Sequence, residues 1–200
     1  MDTPERMTGQ DPKKFDPGRA HLLDASERER YLPTDALVAL LDLQGDETVV
    51  DYGAGTGRLT VPVARAVRDG GRVIAVDSSD EMLGHLRGRL GSEASVDVLH
   101  VPDDGVPLPS GAADRVLAVN LLHEVRGEGA LDEMRRLLAD DGFALIVDWE
   151  RGRPRDAGPP DDLLYDAAEA RALLAAAGLD AVFVAPGLPY HFALIATPIT

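Results

Sequence analysis

The sequence predicts a doubly wound α/β domain, and three observations lead to this fold class. From Glu47 onward, apolar runs rich in Val, Ile and Leu alternate with helical patterns, which indicates a parallel sheet covered by helices on both faces. A glycine-rich turn, 53–57, directly follows the first apolar run, at a position where such folds hold a ligand. The last two apolar runs are joined by a short Gly-Pro turn, so we expect the final strand to be antiparallel to its neighbour.

The segment before the first strand is expected to cover the core. Residues 1–17 are polar, contain three prolines and lack an apolar period, which predicts a flexible N-terminal arm. Residues 18–44 are predicted to form two helices broken at Pro33, a helical cover for a Rossmann-like core at 45–200. We therefore expect a single domain over 18–200, because 200 residues with 44% apolar content suit one buried core.

The core elements follow in regular order. The predicted strands lie at 47–52, 72–77, 95–101, 114–120, 143–149, 180–186 and 191–198, and the predicted helices at 57–70, 78–90, 127–142 and 165–178.

Composition excludes several classes of function. The chain has no cysteine, so thiol catalysis and thiolate metal sites are absent, and its histidines show no ligand spacing, so no metal is expected. The formal charge of -15 disfavours a nucleic-acid partner. No apolar run reaches the roughly 20 residues that cross a bilayer, and the N-terminus lacks a signal-peptide core, so we expect a cytoplasmic protein without a membrane partner.

The acidity has two explanations that the sequence leaves open. The 35 acidic residues are 24 Asp and 11 Glu, and 18 of the 20 basic residues are arginine. A dense cover of short carboxylates is typical of proteins from salt-loving organisms, and a GC-rich genome produces a similar composition.

The glycine turn indicates which ligand the fold holds. Gly53, Gly55 and Gly57 are spaced two apart, and Arg58 stands where a dinucleotide fingerprint has its third glycine. The Gly-Lys-Ser/Thr ending of a phosphate-binding loop is also missing. Asp51 lies two residues before the turn, where its charge would repel a phosphate and attract an ammonium or sulfonium group. The turn therefore favours a cationic nucleoside.

A second carboxylate supports this interpretation. Asp77 ends the second predicted strand, 20 residues after Gly57, where a carboxylate can accept both hydroxyls of a ribose. Ser78 and Glu81 form a capping-box pattern that would fix Asp77 at the junction of strand and helix. Taken alone, Asp77 could equally be a solvated acid at a strand end.

The segments VVDYGAGTG, VIAVDSSDEML, PLPSGAADRVLAVNLLHEV and DEMRRLLADDGFALIVDW resemble the successive motifs of class I S-adenosylmethionine-dependent methyltransferases. The resemblance covers about residues 34–198. It implies a seven-stranded sheet in the order 3-2-1-4-5-7-6 with strand 7 antiparallel, a Rossmann-like methyltransferase fold with an N-terminal helical extension, and S-adenosylmethionine as cofactor. The segments RYLPTDAL, GPP and YHFAL resemble small bacterial and archaeal members whose substrates are mostly unassigned.

The resemblance also implies cofactor contacts, position by position. Next to the methionine part it places the backbone of the glycine turn and two polar residues: Asp51, Gly53, Ala54, Gly55 and Asn120. Next to the adenosine it places Asp77, Ser78, Met82 and Asp103, the last within a one-residue shift of Pro102.

Acceptor contacts are expected from loops at the same sheet edge. His123 follows strand four by a few residues and is a candidate general base, with packing at a helix start as the alternative, whereas its neighbour Glu124 is expected to be solvated. Tyr190 and His191 lie at the last turn, where they would line a substrate pocket or pack the hairpin. The single tryptophan, Trp149, is expected to be buried.

Three functions remain in competition. The first is a methyltransferase acting on a small-molecule acceptor by in-line displacement. The second is a non-catalytic protein that binds S-adenosylmethionine. The third is an NAD(P)-binding reductase, which the spacing at Gly57 and Arg58 and the charge of Asp51 argue against. The sequence identifies neither the acceptor nor the oligomeric state.

Overall fold

The computed structural model describes residues 15–68, 70–91, 96–101, 105–125, 129–184 and 187–199. Seven strands form one sheet in the order β3-β2-β1-β4-β5-β7-β6, which confirms the predicted order. The strands are β1 (Thr48–Tyr52), β2 (Arg72–Asp77), β3 (Val96–His100), β4 (Ala113–Val119), β5 (Leu138–Trp149), β6 (Leu179–Val184) and β7 (His191–Pro198). The first five are parallel where they pair, and β7 is antiparallel to both β5 and β6, as predicted.

The helices described cover the faces of this sheet. They are α1 (Thr34–Leu40), α2 (Thr60–Ala66), α3 (Asp80–Leu90), α4 (Gly129–Leu137) and α5 (Ala167–Ala176). The central strands are rich in β-branched residues that suit a pleated, fully covered surface, and Val49, Val50 and Val73 are all completely buried. Separate apolar clusters fill the two sides, so each face of the sheet packs against its own helices.

Several boundaries differ from the predicted ones. The segment expected to be one helix before Pro33 is two short 3-10 helices, Pro17–Leu22 and Ser26–Arg30. Helix α2 begins at Thr60 and not at Gly57, because the glycine turn continues to that point. Strand β5 begins at Leu138, five residues before the predicted start, and takes the last residues assigned to a helix.

Helix α3 begins with a different cap from the predicted one. Ser79 is its N-cap, and the Ser79 Oγ accepts a hydrogen bond from the backbone N–H of Met82 at 3.3 Å. The predicted capping box of Ser78 and Glu81 is therefore wrong, because the N-cap lies one residue later and Met82 at N3 cannot complete a box. A complete capping box starts α5, where Asp166 and Glu169 each accept a backbone N–H from the other.

The strand register brings the chemically interesting residues to one edge. In β1 Asp51 pairs with Ala75 of β2 and with Leu117 of β4, and in β5 Trp149 pairs with His191 of β7. The carboxyl ends of the parallel strands thus meet the start of β7 at a common edge, where open α/β sheets bind ligands. No helix within the described part of the chain is long and apolar enough to cross a membrane.

Candidate active site

The glycine turn follows β1 at the carboxyl edge of the sheet and leads to α2, and its backbone lies close to neighbouring side chains. Gly53, Gly55 and Gly57 all have positive φ values, of 80°, 55° and 80°, which L-residues with a Cβ rarely adopt. A Cβ on Gly53 would lie 2.9 Å from the Leu121 side chain, and one on Gly57 would overlap the Leu86 side chain. The third glycine therefore lets α3 pack closely, while the first two shape the surface that faces the ligand edge.

The first three backbone donors of the turn are already occupied. The Val76 carbonyl accepts the N–H of Gly53 at 2.8 Å and that of Ala54 at 3.0 Å. The Asp77 Oδ2 accepts the N–H of Gly55 at 2.7 Å. These bonds attach the turn to the end of β2. The turn therefore offers a ligand mainly a preorganised backbone surface, because its first N–H groups are already used.

Asp77 joins the glycine turn to the start of α3. Besides Gly55, its carboxylate accepts the N–H of Ser79, at 2.8 Å to Oδ1. The side chain is only partly buried, so part of the carboxylate is accessible at the ligand edge of the sheet, where each oxygen can accept more than one donor. Of the other residues expected beside the adenosine, Ser78 is exposed and Met82 is buried, 4% exposed, on the inner face of α3.

Asp51 is a buried carboxylate, 4% exposed, at the end of β1. Its Oδ2 accepts the Thr60 hydroxyl at 2.6 Å, and it forms no ion pair with any residue that the structure describes. Burial, and to a smaller extent the charge of Asp77, raise the Asp51 pKa to about 6, against the lowering effect of the Thr60 hydroxyl. A cationic group beside Asp51 would relieve this penalty.

Asn120 follows β4 and has a left-handed backbone, with φ at 57°. Its N–H bonds to the Val147 carbonyl at 2.8 Å, while its buried Oδ1 has no hydrogen-bond partner in the described structure. An unsatisfied buried acceptor suggests a donor that binds there. The last predicted adenine contact, Asp103, lies outside the described residues.

His123 is buried, 5% exposed, and forms a pair with Asp148 of β5. Its Nδ1 lies 2.7 Å from the Asp148 Oδ1, and its backbone N–H donates to Oδ2 at 2.9 Å. Because a carboxylate only accepts, Nδ1 carries the proton and Nε2 is the nitrogen that can take one up. Asp148 was not among the residues predicted from the sequence, although a carboxylate one residue before the end of a central strand was a usable signal.

Glu124 is not the solvated residue that the sequence predicted. Its side chain is 19% exposed, and burial raises its pKa to about 7. Its Oε1 lies 3.9 Å from the His123 Nε2 and accepts the Phe15 N–H at 3.3 Å. A carboxyl group with a raised pKa therefore lies beside the histidine.

Tyr190 and His191 belong to an aromatic cluster with Tyr31 and Trp149. Ring centroids are 4.2 Å apart for Trp149 and His191, 5.6 Å for Tyr31 and Trp149, and 5.5 Å for Tyr31 and Tyr190. Both nitrogens of His191 are buried without a partner among the described residues, and burial together with the charge of Arg28 and other cations lowers its pKa to about 3. The His191 imidazole is therefore neutral, and Trp149 is buried as predicted.

The N-terminal extension lies against the glycine turn. The Asp24 Oδ1 accepts the Thr56 hydroxyl at 2.7 Å, and Arg58 donates to the Leu32 carbonyl at 2.8 Å and to Glu29 at 2.6 Å. The arginine that replaces a third fingerprint glycine thus anchors this extension. Arg58 also lines a surface cavity of about 530 Å³, to which none of the predicted cofactor residues contributes.

These features fit S-adenosylmethionine better than a dinucleotide. Within the described structure, Asp51 is a buried anion that lacks a cation, Asn120 has a buried acceptor that lacks a donor, and Asp77 presents a carboxylate beside the turn. Together they suit the ammonium group and the ribose of an amino-acid nucleoside. No group of three His, Asp or Glu side chains in the described ranges could hold a metal ion.

The sheet order, the antiparallel β7 and the glycine turn define a Rossmann-like methyltransferase fold. Residues 49–142 match a family model described as a methyltransferase domain. A crystal structure of an S-adenosylmethionine-dependent methyltransferase from Aquifex aeolicus superposes with a TM-score of 0.84 at 26% identity, covering 92% of this chain and 98% of that one. Human N-acetylserotonin methyltransferase in complex with S-adenosylmethionine shares the fold, with a TM-score of 0.70 at 19% identity, over 92% of this chain and 57% of that one.

Among curated proteins, a ubiquinone/menaquinone biosynthesis C-methyltransferase from Enterobacter sp. is 31% identical over 109 residues. The match covers 52% of this chain and 43% of the relative, so the chain spans less than half the length of that relative. The chain thus resembles the S-adenosylmethionine-dependent methyltransferases in sequence over residues 49–142 and in fold over nearly its whole length.

Proposed function

We propose that the chain transfers a methyl group to a small-molecule acceptor, with His123 as the general base. The observation that carries this proposal is the buried pair of His123 and Asp148 at the same sheet edge as the glycine turn. Bound S-adenosylmethionine supplies a methyl group on a sulfonium, which in-line displacement moves to a nucleophile. Asp148 fixes the imidazole so that Nε2 receives the proton that the acceptor loses.

The cofactor residues are assigned by their chemistry. Asp51 pairs with the ammonium group, Asp77 accepts the ribose hydroxyls, and Asn120 receives a donor from the methionine end. Gly53 and Gly55 allow the ligand to approach the backbone, since a side chain at either position would intrude. The support is the distances and burial described above, together with the family.

The acceptor enters from the side of the aromatic cluster. Tyr190 and His191 form its wall with Trp149, and neutral rings of this kind bind planar or apolar groups. A carbon nucleophile is the first class to test, because the Enterobacter relative is named a C-methyltransferase. We also propose that the protein has no nucleic-acid partner, since the net charge is -15, and that it is cytoplasmic.

The test is S-adenosylhomocysteine formation with a panel of carbon, oxygen and nitrogen nucleophiles. His123→Ala should lower kcat at least about 10²-fold while S-adenosylhomocysteine binding changes less than about twofold. His85→Ala is the matched control, because His85 is an exposed histidine on α3. Cofactor binding without turnover of any acceptor would favour a non-catalytic binding protein, and binding of NADH alone would refute the proposal.

A further inference from the structure

Arg28 is an arginine that points into the protein. It belongs to the short 3-10 helix Ser26–Arg30, in which it is the only buried residue, at 8% exposure. The other four members of this helix are exposed. Long charged side chains normally extend from such a surface turn into water, so the inward position of Arg28 calls for a physical reason.

No carboxylate in the described structure forms a direct ion pair with Arg28. Its Nε–H is buried without a hydrogen-bond partner, and its guanidinium forms no ion pair with any described residue. The two nearest carboxylates on its own segment have other partners, because Asp24 binds Thr56 and Arg89 while Glu29 binds Thr34 and Arg58. Burial and the neighbouring charge of Arg58 lower the Arg28 pKa, and the more distant charges of Asp24 and Glu29 only partly offset this effect.

The position of Arg28 relates this cation to the candidate site. Its helix is held against the glycine turn on both sides, by the Asp24–Thr56 bond before it and by the bond from Arg58 to Leu32 after it. Arg28 interacts electrostatically with Tyr31 and with His191, two members of the aromatic cluster. Arg28 therefore belongs to a segment that is attached to the glycine turn, and its charge acts on the proposed acceptor wall.

We propose that Arg28 binds a carboxylate in this site. A guanidinium presents a planar fork of N–H donors that matches the two oxygens of a carboxylate, and a bound carboxylate would supply both the missing charge and the missing acceptor. The proposal rests on the proposed function, in which two carboxylates reach this region. One belongs to the methionine end of the cofactor, whose ammonium group is assigned to Asp51, and the other would be carried by the acceptor.

The experiment compares two nucleoside ligands by calorimetry. S-adenosylhomocysteine has the amino-acid end, whereas methylthioadenosine lacks it and keeps the adenosine. We expect Arg28→Met to weaken S-adenosylhomocysteine binding by about 10- to 100-fold and to leave methylthioadenosine within about twofold. Arg30→Met is the matched control, because Arg30 is an exposed arginine of the same 3-10 helix, and it should change neither ligand.

A second arm tests the acceptor as the source of the carboxylate. If Arg28→Met leaves S-adenosylhomocysteine binding unchanged, benzoate is titrated into the S-adenosylhomocysteine complex. Loss of benzoate binding in the variant, with retention in the wild type, assigns the carboxylate to the acceptor. The proposal is overturned if Arg28→Met changes the binding of neither S-adenosylhomocysteine nor benzoate. It is also overturned if the variant weakens methylthioadenosine binding as much as S-adenosylhomocysteine binding.

A stability measurement separates binding from a structural role. Arg28→Met removes an uncompensated buried charge and keeps much of the side-chain volume, so the thermal midpoint of the ligand-free protein should rise. The increase in midpoint that S-adenosylhomocysteine produces should become smaller. A lower midpoint in the ligand-free variant would show that Arg28 supports the fold instead. A wild type that binds neither nucleoside refutes the proposed function, whereas equal binding by wild type and variant, without a benzoate effect, refutes this inference alone.

Discussion

Substituting Asp51 by Asn tests whether the buried carboxylate that precedes the glycine turn destabilises the folded protein when it is ionised. The change keeps the shape of the side chain and an acceptor for the Thr60 hydroxyl, and it removes the ionisable group. The Asp51 pKa rises from an ordinary 3.8 to about 6. This difference of about 2 units, at about 1.4 kcal/mol per unit, makes the ionised carboxylate cost up to about 3 kcal/mol in the folded protein.

The sign of the pH dependence follows from which state holds the proton. Between pH 3.8 and about pH 6 the unfolded chain has lost the Asp51 proton while the folded protein retains it. The contribution of Asp51 to the free energy of unfolding therefore falls as the pH rises through this window, and it stays low above the window. Below pH 3.8 the carboxyl is protonated in both states, so the wild type and the Asp51→Asn variant should differ little there.

The assay is urea unfolding of the ligand-free protein at pH values from 4 to 8. We expect Asp51→Asn to be up to about 3 kcal/mol more stable than the wild type at pH 8, with a gap that closes toward pH 4. Asp97→Asn is the control, because Asp97 is exposed on β3, and its effect should be flat across the range. A gap that does not vary with pH, or a variant that is less stable at pH 8, would refute the reasoning.

Further predictions address the other parts of the site. Asp77→Ala should weaken S-adenosylhomocysteine binding by about 1.5 to 3 kcal/mol in calorimetry, because it removes charge-assisted hydrogen bonds, and an unchanged Kd would show that the ribose lies elsewhere. Asp148→Asn should lower kcat more than it raises KM, because the imidazole of His123 loses the acceptor that fixes its tautomer; equal kcat values would exclude the paired role. Gly57→Ala should lower the free energy of unfolding by about 2 kcal/mol or more, through its positive φ and its overlap with Leu86, and a neutral effect in urea would contradict that packing. Multimolar KCl should raise the thermal midpoint if the acidity is a salt adaptation, and no rise would leave genome composition as the explanation.

The sheet could be predicted because its signals are local. Runs of Val, Ile and Leu set the strands, and the missing helix between the last two runs fixed the direction of β7. Element boundaries were less accurate. Leu138 follows a helical pattern yet starts β5, because its pairing with Ala113 overrides local propensity.

The site was only partly predictable, since its key contacts are between residues distant in sequence. Asp77 and the glycine turn lie on adjacent strands of a known arrangement, so their spacing sufficed. The pairing of His123 with Asp148 joins residues 25 positions apart on different elements, and no local pattern reports it. The burial of Glu124 and Arg28 likewise depends on segments that fold over them.

The extension before β1 has a practical consequence for how this protein is delimited. The family match starts at residue 49, and a fragment cut there would retain nearly the whole sheet. It would nevertheless lose Asp24 and Leu32, the partners of Thr56 and Arg58, and would leave the glycine turn open to solvent. The family match thus begins later than the folded unit, and isolated fragments should begin upstream of the first 3-10 helix.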